Sequence, residues 1–409
     1  MKKLTINRGF KDAFFLTLCI IGALAILSST MSKNPVLNPF AESLGTPEAL
    51  MGVIAAASTV PGILMSLPAG SLSDSFGRKK VLVLAGVVFA SAPLLYVFID
   101  VWWHLILVRF YHGFATAIFV PVARATIAEH YPDQKGERIS VFTSATIVGR
   151  GIAPFLGGFI LSTTMWNYRF LYIAVGVAGV TAFITTLLIL KENRGAKRGI
   201  AQSDRPRATK GRSYFTGWRG VFNDFGILVT STTEAATRYV YGALEFFLIG
   251  YLKNVAQLDP SLIGTIMGVQ FVLIPIVGPF MGRLSDKMGR RILILIGLTM
   301  SGLSLLWIPY TTRFLPLLII SLVYGLGFCI VISSTPALIG DLADKESLGA
   351  AMGFLATIMD VGQMLGPVVT GMVLAAFGYS GSFFSLGVIL LGVSVFFSIF
   401  QKQTTPSKK

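Results

Sequence analysis

Charge is scarce in this chain: only 13% of its 409 residues are Asp, Glu, Lys or Arg, about half the roughly 25% of an ordinary soluble domain. Together with a hydrophobic content of 54%, that shortage excludes a soluble enzyme, a disordered chain and a nucleic-acid binder. Cysteine is nearly absent. Cys19 and Cys329 lie far apart inside apolar stretches, which excludes a disulfide framework and a cysteine-based metal site and leaves them as small packing residues. There is no G-x-x-x-x-G-K-[ST] loop, so no ATP motor is indicated. No histidine cluster, acid dyad or nucleophile constellation appears either, which removes the usual signs of an enzyme. Acids are fewer than bases, 19 against 34. The excess does not point to nucleic acid, because the basic residues sit in loops between apolar runs.

Those apolar runs dominate what is present, with 43 glycines and 31 phenylalanines. A helix needs about 20 mostly apolar residues to cross a bilayer, and its backbone must satisfy its own hydrogen bonds there. Twelve stretches qualify: 12–40, 50–72, 80–99, 104–128, 139–162, 168–190, 226–251, 261–283, 291–309, 314–340, 348–374 and 381–401. The spacing therefore predicts an all-α membrane protein with 12 transmembrane helices. No small-residue cleavage site follows Met1-Lys2-Lys3, so the first run is expected to remain as a helix. With the N-terminus in the cytoplasm, 26 of the 34 Lys and Arg residues fall on that side and only Arg169, Lys253 and Arg313 in the outer loops. Positive residues collect on the cytoplasmic side, so both termini are expected there. The longest polar stretch divides the chain into a first six-helix half (1–190), a cytoplasmic linker (191–225) and a second six-helix half (226–409).

The halves repeat each other. Gly70-Ser-Leu-Ser-Asp74-Ser-Phe-Gly77-Arg78-Lys79-Lys80 recurs as Gly282-Arg-Leu-Ser-Asp286-Lys-Met-Gly289-Arg290-Arg291, at an offset of 212. The same offset carries Gly52 to Gly264, Gly113 to Gly325 and Glu129 to Asp341; one residue more carries Pro154 to Pro367 and Gly158 to Gly371. Parallel six-helix halves related by an axis along the membrane normal are a transporter architecture. Along essentially its whole length the sequence resembles the major facilitator superfamily. The Gly70–Lys80 segment is similar to that family's loop motif G-x-L-a-D-r-x-G-R-k-k. Arg109-Phe-Tyr-His112-Gly113 resembles its fourth-helix motif R-x-x-q-G, with His where Gln is usual. Gly149-Arg150-Gly151-Ile152-Ala153-Pro154-Phe155-Leu156-Gly157-Gly158 resembles the fifth-helix motif g-x-x-x-G-P-x-x-G-G of proton-coupled antiporters, with Ala153 in place of its central Gly. The resemblance implies the major facilitator fold and an alternating-access transporter similar to the 12-helix drug:proton antiporters.

Three residue sets carry the functional expectation. Gly70, Asp74, Gly77, Arg78 and Glu129, with Asp286, Arg290 and Asp341, form an acid–base set that recurs in both halves and suits a conformational latch. Asp74 and Arg78 are four apart and can pair, Glu129 is a partner for Arg78, and Asp341 is the matching partner for Arg290. Gly149, Ala153 and Gly157 repeat at four-residue steps beside Pro154 and Gly158, and Gly362, Gly366 and Pro367 occupy the equivalent places in span eleven; small residues at that step let helices approach closely. The third set consists of ionisable groups inside spans, which mark function by default: Lys33, Arg109, His112, Arg150, Glu234, Arg238, Glu245 and Asp360. Arg109 and His112 share a face of span four, and Glu234 and Arg238 are an i, i+4 pair on span seven. Arg150 and Asp360 have no opposite charge nearby on their own helices. Lys33 and Glu245 are separated by the repeat offset, so an ion pair between the halves is one expectation and two separate, wet cavity groups the other.

The expected activity is secondary transport of small organic compounds across the cytoplasmic (inner) membrane, as a proton-coupled multidrug-type efflux antiporter. An importer or facilitator of an organic anion or sugar is the first rival, and a non-transporting membrane sensor a remote one. The expected partners are a small-molecule substrate, protons and the lipid bilayer, with no nucleic acid, no cofactor and no metal, and the protein is expected to act as a monomer.

Overall fold

The computed structural model describes residues 2–65, 68–192, 221–222, 224–344 and 347–401. Most of the expected linker, 193–220 and 223, lies outside the described residues. The first half carries α1 (Lys2–Met31), α2 (Leu37–Ser43), α3 (Glu48–Ala57), α4 (Val60–Met65), α5 (Pro68–Phe76), α6 (Arg78–Tyr96), α7 (Trp102–His130), α8 (Lys135–Thr163) and α9 (Tyr168–Glu192). The second carries α10 (Phe225–Asn254), α11 (Pro260–Met288), α12 (Arg290–Trp307), α13 (Phe314–Leu342) and α14 (Leu348–Phe400).

Among the described residues, ten stretches are long and apolar enough to cross a membrane. One is α14, which holds the two last expected spans. Its chain turns at Gly378, where φ is 66°, a backbone region that only glycine enters without a Cβ clash. The span absent from the ten is α10, 30 residues long, whose apolar run is interrupted by Glu234, Arg238 and Glu245. With these two counted, the fold has the twelve spanning helices of the expectation.

Two expected spans are broken rather than continuous. Span one stops at Met31 and resumes at Leu37, with a turn over 32–36. Pro35 has no N–H to donate and disfavours helix at the residue before it. Lys33 therefore sits in this turn rather than on an unbroken helix. At the place matching Pro35 in the second half stands Phe247, and α10 runs on without interruption past Glu245. Span two is interrupted by a turn at Ser58 and Thr59, between α3 and α4, with Pro61 in the first turn of α4.

The chain forms two compact units. One contains Met1–Thr46 and Ala57–Arg205; the other contains Pro206–Lys409 together with Pro47–Ala56, the greater part of α3. In the first unit α1 packs on α8 and α9, α6 on α7 and α9, and α4 on α7. In the second, α10 packs along α14, α12 on α13 and α14, and α11 on α13. The core of the first unit is apolar and aromatic, built around Phe15, Phe89, Phe119 and Phe142 from four helices.

Close helix contacts recur at repeat-related places. A methyl added at Gly149 of α8 would lie 2.2 Å from the carbonyl oxygen of Ala23 on α1, and one at Gly362 of α14 would lie 2.2 Å from that of Ala235 on α10. Ala23 and Ala235 are themselves 212 apart. Backbone meets backbone at both crossings, which is how small residues hold helices together where lipid removes the hydrophobic drive.

Candidate functional site: charged groups within the two units

The recurrent acid–base set closes separately within each unit. Arg78, at the start of α6, reaches Asp74 at 2.5 Å and Glu129, on the last turn of α7, at 2.7 Å through Nη2 and 3.0 Å through Nε; it also donates to the Ser73 hydroxyl. Arg290 reaches Asp286 at 3.3 Å and Asp341 at 2.9 Å. Gly70 lies inside α5, and Gly77 and Gly289 make the turns that aim the two arginines, with φ of 90° and 95°. The carboxylates are 48–64% exposed, so each pair adds about 0.2–1 kcal/mol at most. That suits a contact made to be broken. Ser285, the counterpart of Ser73, is buried with no partner for its hydroxyl.

Inside the first unit, Arg109 and His112 are each only 2% exposed. Arg109 donates from Nη2 to the Ser58 hydroxyl at the break between α3 and α4, while its Nε has no partner. His112 Nδ1 faces the Tyr96 hydroxyl at 3.4 Å, and its Nε2 has none. Tyr96 stacks on Tyr172 with ring centroids 4.3 Å apart, and Tyr172 donates to the Ser32 carbonyl in the turn that carries Lys33. The charges of Lys33, half-buried, and Arg109 both act on His112. Arg150 on α8 is exposed and makes no ion pair among the described residues.

The second unit gathers charges of both signs. Glu234 is completely buried. Its Oε1 accepts from Arg238 Nε at 3.1 Å, and its Oε2 accepts from the Thr335 hydroxyl of α13 at 2.5 Å. The Arg238 guanidinium lies over Phe328 at 5.4 Å, and Phe328 stacks between Tyr241 and Tyr324. Arg238 also acts electrostatically on half-buried Asp360 of α14, and the charges of Arg238 and Glu245 act on Tyr324. One arginine is thus bonded to a locked carboxylate and acts electrostatically on a second, less enclosed one. Lys33 and Glu245 belong to different units.

The small-residue set lines the close helix crossings. Gly157 lies against Met31, Asn34 and Pro35 of the broken span, and Gly366 against the Tyr239 carbonyl. Ala153, Pro154 and Gly158 are buried in α8, and Pro367 in α14. The alanine at 153, where the repeat has Gly366, is accommodated with no surface exposed. Thr335, Phe328, Tyr324, Tyr96, Tyr172, Ser58 and Ser73 join these clusters without any sign in the sequence, since a lone hydroxyl or ring in an apolar run has no local signature. Among the described residues no three of His, Cys, Asp and Glu are grouped so as to hold a metal.

Twelve spanning helices, a two-fold repeat and ionisable clusters inside the helical bundle of each unit define a multi-pass membrane transporter. Residues 18–255 and 235–409 each match the Major Facilitator Superfamily, and the chain belongs to that family. Among its relatives, the multi-drug resistance efflux pump PmrA of Streptococcus pneumoniae is 25% identical over 90% of this chain and 91% of its own. The multidrug resistance protein MdtG of Klebsiella pneumoniae is 23% identical over 78% of this chain and 76% of its own. A bacterial homolog of the human lysosomal transporter Spinster superposes with a TM-score of 0.82 at 16% identity, covering 97% of this chain and 99% of that one. The nucleoside transporter NupG superposes with a TM-score of 0.72 at 15% identity, covering 96% and 100%. At these identities the likeness to the two structures is one of fold.

Proposed function

We propose that the protein is a proton-coupled exporter of small organic compounds, placed in the cytoplasmic membrane with both termini inside and working by alternating access as a monomer of two six-helix halves, 1–190 and 226–409, joined by the linker 191–225. The observation that carries this reading is the arrangement around Arg238. Glu234 has both oxygens engaged and no exposed surface, so it serves as an anchor. Asp360 is subject to the same arginine's charge while remaining half-buried. A proton arriving on Asp360 removes its attraction for Arg238 and leaves the arginine to Glu234; losing the proton restores the competition. That is a two-state element which an ion gradient can bias. Glu245, on the same helix as Glu234 and Arg238, takes part through its electrostatic effect on Tyr324. Similarity to relatives named as multidrug efflux pumps supports export, and the half-exposed acid–base sets of Arg78 and Arg290 serve as cytoplasmic latches.

Reconstituted protein tests the coupling. With a pH gradient imposed across proteoliposomes, wild type drives substrate uphill. Asp360→Asn loses that drive and keeps downhill exchange, and Glu245→Gln weakens it. Full gradient-driven flux in both variants would refute proton transfer through this unit.

A further inference from the structure

One helix of the second unit carries a groove along its own surface, lined by that helix alone. A helix surface is ridged along its i±4 rows, and on α12 two such rows run side by side: Leu295, Thr299 and Leu303, and next to them Ile296 and Met300. These five side chains bound a cavity of about 310 Å³. Ile296 and Leu303 are exposed on a helix long and apolar enough to cross the membrane, so lipid is what meets them. The Thr299 hydroxyl, the polar group of the groove, is already engaged with that of Ser394 at 3.1 Å, which leaves the groove suited to an apolar occupant. Followed towards the start of α12, the first row leads from Leu295 to Arg291. Arg291 is half-buried. Its Nη2 donates to the Ser398 carbonyl, which ties the side chain to α14, and its Nε has no partner. Its neighbour Arg290 takes Asp286 and Asp341, and among the described residues no acid pairs with Arg291. The length also fits. The rise from Arg291 to Leu303 is about 18 Å at 1.5 Å per residue, and one leaflet of the bilayer core is about 15 Å deep. A chain anchored at Arg291 therefore runs along the groove and ends near the bilayer midplane.

We propose that the α12 groove holds one acyl chain of an anionic phospholipid whose phosphate is gripped by Arg291. The planar guanidinium fork matches two oxygens of a phosphodiester, and basic side chains at the membrane surface attract anionic headgroups. Arginine and groove lie on one row of one helix, so they select a molecule that carries both an anion and a chain. Because Arg291 is tied to Ser398, the bound lipid braces α12 and the last turns of α14 together. Its place in the cytoplasmic leaflet rests on the proposed topology; the choice of lipid does not.

The test is thermal denaturation of the purified, delipidated full-length protein in an uncharged detergent, titrated with dioleoyl phosphatidylglycerol, dioleoyl phosphatidylcholine, glycerol 3-phosphate and inorganic phosphate. Phosphatidylglycerol is expected to raise the melting temperature with a saturable dependence, phosphatidylcholine to act only at clearly higher concentration, and the two chainless anions to leave it unchanged. Arg291→Gln raises the phosphatidylglycerol concentration for half-maximal effect about fivefold, the worth of one basic residue at an anionic membrane surface. Ile296→Trp fills the groove from an exposed position and also raises it, while Ile319→Trp, exposed on α13 and outside the groove, leaves it unchanged. If Arg291→Gln is not recovered folded, Ile296→Trp set against Ile319→Trp carries the comparison. No saturable effect of phosphatidylglycerol, equal stabilisation by phosphatidylcholine, saturable stabilisation by either chainless anion, an unchanged titration in Arg291→Gln or in Ile296→Trp, or an equal loss in Ile319→Trp would each overturn the proposal. Neither a pH gradient nor a transported compound enters the measurement, so its outcome and that of the coupling test are independent.

Discussion

Replacing Gly366 with alanine sets a single methyl group against a backbone. The added carbon would lie 1.9 Å from the Tyr239 carbonyl oxygen and 2.7 Å from its carbon, whereas real Cβ contacts essentially never fall under 3.0 Å. Neither partner is the end of a flexible side chain, so α10 and α14 have to separate by about 1 Å along their shared crossing. Overpacking a tight site typically destabilises by about 1–3 kcal/mol, occasionally more. Here the obstacle is main chain on both sides, which places the effect at the upper end. For domains of roughly 150–250 residues each kcal/mol moves the melting temperature by about 2–4 °C, so a fall of about 6–12 °C is expected. The control lies on the same helix: a methyl at Gly353 meets nothing within 4 Å, and alanine is favoured over glycine in a helix by about 1 kcal/mol. Gly353→Ala should therefore hold or raise the melting temperature. Both variants are read by thermal denaturation in detergent. Equal behaviour of the two, or a Gly366→Ala protein as stable as wild type, would refute the backbone-contact argument.

Two further outcomes test the charged clusters. Thr335→Val keeps the shape but leaves Glu234 Oε2 without its donor; a hydrogen bond to a charged group contributes about 1.5–3 kcal/mol, so thermal stability and gradient-driven flux both fall, Thr335→Ser recovers both, and a valine variant indistinguishable from wild type would remove Glu234 as an anchor. Arg78→Gln breaks the bonds to Asp74 and Glu129 together, and because those acids are largely exposed the stability loss stays within about 1 kcal/mol while flux falls; large unfolding with proportionate loss of flux would make Arg78 a structural strut rather than a latch.

The internal repeat makes a good part of this arrangement legible along the chain. Arg78 pairs with Glu129 and Arg290 with Asp341, and the spacing alone suggests both, because one offset carries both members of each pair. Gly149 and Gly362 are legible for a related reason: a small residue repeated at four-residue steps has few other uses inside a membrane. What escapes is local or relational. Pro35 stands in plain view, but the apolar character of 12–40 hides the break it makes, so hydropathy puts Lys33 on a helix that in fact stops before it. The last two spans are both present, and only the point where they meet, at Gly378 with φ of 66°, goes unmarked by periodicity. Thr335 and Ser58 are ordinary hydroxyls in apolar runs; nothing along the chain distinguishes them from Thr230 or Ser231, and only tertiary packing brings them to Glu234 and Arg109. Among the described residues no acid is bonded to Arg109, and that is equally invisible, because an absence in three dimensions has no sequence pattern.

Pro47–Ala56 belongs spatially to the second unit, and Gly52 within it lies so close to the Pro367 carbonyl that an added methyl would sit 1.8 Å away. Gly371, one turn further along α14, faces the backbone of Gly52 and Ala49. Splitting the gene after residue 205, at the boundary suggested by the polar stretch, would therefore give a C-terminal fragment lacking a helix that its own longest helix is shaped to meet. Glycine faces left bare in this way invite a substitute, either another copy of the fragment or a detergent tail. A peptide covering 47–56 supplied in trans is the natural complement, and a fragment engineered to stand alone would need that segment grafted back by a permuted chain order.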